Sequence, residues 1–189
     1  MAQTFSDKLS LLDEQIENNL TIYTDLPGKN EYSDKAEKIL ETLLKKHQFV
    51  IIDTDFTTNA DYFAYSNQVY LVQTMDVLTM QPLTEFLSKL KSKNAINDEK
   101  IRIILTKFMN FDEISVGKLI GGLAYYNDPS MTYMQQIFEK NGAKYTTISY
   151  NQQAYEKYLQ DVATCRFTTN YSIEFKKELE MLTEDVIQG

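Results

Sequence analysis

One cysteine, one histidine and no tryptophan stand among 189 residues, and each scarcity closes off a class of chemistry. A lone cysteine, Cys165, cannot build an intramolecular disulfide framework and fits a reducing compartment. A lone histidine, His47, cannot supply a Ser-His-Asp triad or a multi-histidine metal site. At the end of a helical pattern it is expected to hydrogen-bond the last carbonyls of that helix. With one thiol and one imidazole, a Cys-His dyad is not expected, and Cys165 reads as a small core or surface residue. Basic residues are also few: 19 Lys and Arg face 27 Asp and Glu, for a formal charge of −8 and a pI near 4.7. Binding a phosphate backbone draws on clustered Lys and Arg. No strong basic block occurs, so direct nucleic-acid binding is not expected. No window approaches the roughly 20 apolar residues of a membrane span. The N-terminal MAQTFSDKLSLLDEQ has neither the basic nor the apolar region of a signal peptide. These absences lead to the expectation of a soluble, cytoplasmic protein.

What is present is ordinary for a globular chain: 43% apolar and 24% charged residues, enough for one domain with a sizeable core. The segment SDKLSLLDEQIEN (6–18) reads as an amphipathic helix with Leu9, Leu12 and Ile16 on one face and Ser6 as cap. NLTIYT reads as a short strand, and DLPGKN as a turn. SDKAEKILETLLKK (33–46) is strongly helical, with Ala36, Ile39, Leu40, Leu43 and Leu44 in its stripe and basic residues at its C-terminal end. FVIID and QVYLVQT read as strands covered on both faces. Thr79 is expected to cap a helix with Pro82 in its first turn and Met80, Leu83, Leu87 and Leu90 inward. KIRIILTKF is the next strand. ISVGKLIGGLAYY is apolar and reads as a helix or a helix ending in a turn. After the turn YNDPS, MTYMQQIFEKNG reads as a helix stopping near Gly142, with its Met and aromatic residues in the core or against a partner helix. KYTTIS reads as a strand, and NQQAYEKYLQDV and SIEFKKELEMLTEDV as helices, the acids of the last one forming a solvated face. No internal repeat or linker is evident.

Strands alternating with helices predict an α/β domain over residues 1–189, with a mainly parallel sheet of about five strands and helices on both faces. Ligands in such folds sit at the carboxyl ends of the strands. That rule gathers Asp53, Asp55, Thr74, Thr106 and Lys107 at one sheet edge.

The order and spacing of these pieces resemble the later part of the MinD/ParA-like P-loop ATPases, including the CpaE/TadZ-like members associated with pilus assembly. VIIDTD looks like their Walker B strand. NADYFAYSNQVYLVQTMDVLTMQPLTEFLSKLK looks like the following loop, strand and long helix. IRIILTKF looks like the strand that ends in the family's Asn-Lys pair, and TTISYNQQAYEKYL like its late strand and loop. The resemblance spans about residues 20–160, leaving 161–189 as a C-terminal helical segment. It implies ATP and magnesium as cofactors, a nucleotide-sandwiched homodimer, and hydrolysis that switches partner or membrane association. By the same resemblance Asp53 would stand on the magnesium side, while Asp55, Thr106 and Lys107 would line the nucleotide site. Asp53 equally reads as an acid ending a buried strand, and Asp55 as a loop-capping residue. Thr106 stands where the family has an adenine-contacting Asn, and a hydroxyl makes fewer contacts than an amide. Lys107 is as able to pair with one of the aspartates as to meet a ligand.

The departure from the family lies in the phosphate loop. Such a loop needs a Gly-rich turn at a helix N-terminus, followed by Lys and Ser or Thr. LPGKN, around Gly28 and Lys29, has one Gly and no hydroxyl after the Lys. The chain therefore looks like the family core without its first strand and phosphate loop. An excised piece, a shortened relative, or a partner chain carrying the missing half would each explain this. The expectation is an incomplete or degenerate ATPase that acts by binding a protein partner in secretion, pilus assembly or positioning, with little or no hydrolysis by this chain alone. Two alternatives stand beside it. One is a protein-interaction α/β module with no nucleotide role. The other is a receiver-like domain using Asp53, Thr74 and Lys107, although LTIYTD offers only Asp25 where a receiver needs an acidic pair.

Overall fold

The computed structural model describes residues 13–17, 20–23, 35–76, 80–113, 115–120, 144–166 and 171–188. The chain divides into two compact units, Met1–Tyr65 and Ser66–Gly189.

In the first unit, strands β1 (Asp13–Glu17) and β2 (Leu20–Tyr23) pair antiparallel, with a register shift between Gln15 and Glu17. This corrects the helix expected over 6–18. Ile16 alone of the three apolar residues behind that expectation is described, and it lies in a strand. Only Asn18 and Asn19 separate the two strands in sequence, a spacing that suits a hairpin. Helix α1 (Ala36–Lys46) buries Ala36, Ile39, Leu40 and Leu43 and ends on Lys45 and Lys46, which complement the helix dipole. Leu44, expected in the same stripe, is exposed. Helix α2 (Ala60–Tyr65) begins where the Asn59 side chain accepts the Asp61 N–H, and it buries Tyr62 and Phe63. The core here joins Ala36, Leu40 and Tyr62, with Ile52 packed against them. The Tyr65 hydroxyl donates to Glu37, tying α2 to α1, and that carboxylate raises the tyrosine pKa. The His47 backbone N–H donates to Leu43 O, while its ring lies 2.8 Å from the Tyr23 hydroxyl, so the imidazole meets β2 rather than the carbonyls of α1.

FVIID is the second correction. Residues 49–55 form no strand. The β-branched run has the composition of a buried strand, but composition supplies no ladder partner, and Ile51 is 81% exposed. Of the run, Ile52 is the residue packed on the core of this unit.

The second unit is built on a three-stranded parallel sheet in the order β3 (Val69–Gln73), β4 (Ile101–Phe108), β5 (Lys144–Ser149), flanked by helices. The other pair of strands belongs to the first unit, so the described sheet has three members where about five were expected. Helix α3 (Met80–Ser92) joins β3 to β4, as parallel neighbours require, and buries Thr84, Leu87 and Leu90 at helical spacing. Strand β4 is the middle strand. Ile101, Ile103 and Leu105 are buried on one face and Ile104 on the other. Helices α4 (Val116–Ile120), α5 (Gln152–Thr164) and α6 (Ile173–Gln188) follow the expected segments. Helix α6 packs on β5, where Glu178 accepts the Ser149 N–H at 3.0 Å. Burial and then the Asp185 carboxylate push the Tyr70 phenol up. The expectations for 6–12, DLPGKN, Ser33, Thr79, GGLAYY, YNDPS and MTYMQQIFEKNG fall outside the described residues.

Among the described residues, two helices end on left-handed non-glycine residues. Asn94, with φ of 55°, follows α3, and the Ala95 N–H reaches back to Leu90 O. Cys165, with φ of 50°, follows α5, and the Arg166 N–H reaches Asp161 O. Asn tolerates this conformation, whereas Cys does not favour it. Cys165→Gly is expected to raise stability by about 1 kcal/mol. The check is a higher denaturant midpoint with an unchanged slope.

Candidate functional site

The carboxyl edge of the parallel sheet is built from the ends of β3 and β4 and the start of α5. Gln73 lies opposite Leu105 in the ladder, so Thr74 and Thr106 follow on neighbouring strands. The Thr106 hydroxyl donates to Gln73 O at 3.1 Å, extending the ladder with a side chain. Thr74 Oγ1 accepts the Asp76 N–H in a local side-chain turn just past the end of β3. Lys107 then takes a φ of 54° inside a register shift between Leu105 and Phe108, and pairing resumes where the Tyr150 N–H donates to Phe108 O. This is a bulge that re-aims one side chain. The Lys107 ammonium sits 4.6 Å from the centre of the Tyr155 ring, a contact of about 0.5–1 kcal/mol at an exposed position. Tyr150, Tyr155 and Tyr158 continue from there as a row of rings, the last two 6.3 Å apart and 24° from parallel.

Local capping fixes the start of α5. Asn151 Oδ1 accepts the Ala154 N–H, while its Nδ2 donates to Ser172 Oγ, which in turn accepts the Phe175 N–H in the first turn of α6. One linked pair of side chains thus starts both helices. Helix α5 then lies with Ala154, Lys157 and Asp161 partly buried. Lys157 pairs with Asp161 at 3.2 Å and sits over Tyr171. Tyr155, Tyr158, Leu159 and Val162 are 37%, 55%, 48% and 59% exposed. An amphipathic helix normally covers its apolar side; this one presents it.

Gln73 is the one buried side chain of this edge with unmet polar atoms among the described residues. It is 4% exposed, and neither its amide oxygen nor its amide nitrogen has a hydrogen-bond partner.

Of the residues expected to converge, Thr74, Thr106 and Lys107 share this edge in the second unit. Asp53 and Asp55 belong to the first unit, and both are exposed. Asp55 is a loop organiser. Its Oδ1 accepts the Thr57 N–H and the hydroxyls of Thr57 and Thr58, and its own N–H donates to Thr58 Oγ1. The Thr57 hydroxyl and then the Thr57 N–H hold its carboxyl below the usual aspartate range. Asp53 stands on a segment without a strand, the Asp55 acceptor oxygen is committed to its own loop, and no group of three or more His, Cys, Asp or Glu among the described residues could hold a metal ion. Gln73 and Tyr155 were not singled out from the sequence. Gln73 left a trace there as the polar member of the inward positions of VYLVQ, whereas Tyr155 left none.

Two outcomes follow. Gln73→Leu removes a buried amide without partners and is expected to stabilise the protein by about 1–3 kcal/mol, read from denaturant unfolding. Because the Asp55 pKa is depressed in the folded chain, the stability it contributes is present above the ordinary aspartate value and lost as pH falls through the lowered one. Carboxyl NMR should show Asp55 titrating below an ordinary aspartate, and Thr57→Ala should return it toward that value.

Compared with known proteins, the chain matches no family model, no curated protein and no solved structure.

Proposed function

We propose that this chain is a partner-binding module on an incomplete MinD/ParA/CpaE-like frame, and that it hydrolyses little or no ATP alone. The observation that carries this reading is the exposed apolar stripe of α5, with Tyr155, Tyr158, Leu159 and Val162 open to solvent while Lys157 and Asp161 are half-buried and paired. Two of the polar groups at the adjacent sheet edge are spent on the chain itself: Thr106 on a carbonyl of β3 and Lys107 on a tyrosine ring. Such an edge supports binding through a surface better than it supports phosphoryl transfer, which depends on positioned phosphate and metal ligands. No Gly-rich segment followed by Lys and a hydroxyl occurs in the sequence. Such a module would act in secretion, pilus assembly or positioning, in a cytoplasmic setting, as the resemblance implies.

Isothermal titration with ATP and magnesium tests the reading, run on the chain and on Asp53→Asn alongside a phosphate-release assay. The expected outcome is no binding at millimolar nucleotide and no turnover. Micromolar binding that Asp53→Asn weakens would overturn it, and the edge holding Thr106 and Lys107 would then be a nucleotide site.

A further inference from the structure

We draw no further inference here: the strongest candidate, the exposed apolar stripe that Tyr155, Tyr158, Leu159 and Val162 form on α5, carries nothing because nothing among the described residues shows what covers it.

Discussion

The parallel laddering of β4 between β3 and β5 is the constraint on which the second unit depends. A strand buried on both faces must be apolar at consecutive positions, and Ile103, Ile104 and Leu105 meet that demand. Burying each such side chain contributes about 1.5–3 kcal/mol. Parallel neighbours also dictate the rest of the chain path, since each must be reached by a long crossover, and α3 is one. Every strand therefore points the same way and all three ends gather at one edge. Thr74, Thr106, Lys107 and the start of α5 meet there as a result of topology.

That chain of causes explains which elements were readable from sequence. The strand IRIILTKF and the two helices that follow β5 have strong periodicity, and β5 itself runs from Lys144 to Ser149 as KYTTIS suggests. Two segments misled for opposite reasons. At 13–17 a helical spacing of apolar residues lost to pairing with a neighbouring strand, and pairing is a non-local interaction that periodicity does not register. At 49–53 the composition of a buried strand was present, but neither a ladder nor a second layer was supplied, and Ile51 stands in solvent. Composition states what a segment can become, while partners decide what it becomes.

The candidate site divides along the same line. Placing Thr106 and Lys107 at a strand terminus needed only the strand ends and the rule for parallel sheets. What those side chains do there was hidden. The left-handed turn at Lys107 arises from a register shift against β5, and its ring partner sits 48 residues further along the chain. The orientation of α5 was hidden more deeply. Amphipathicity reveals that a helix has two sides, but the half-buried placing of Lys157 and Asp161 goes with their mutual pair and with the linked caps of Asn151 and Ser172.

Cys165 closes α5 just beyond Val162, and it is exposed. As the only thiol in the sequence, it gives the protein a native attachment point for a dye or spin label without any substitution. A probe held there stands at the rim of the apolar stripe, in a backbone conformation locked by the helix-ending hydrogen bonds of residues 165 and 166. Its environment would change when anything covers the helix and stay constant when other surfaces are engaged. The same position makes the face vulnerable, because an oxidised or alkylated thiol would crowd the end of the stripe.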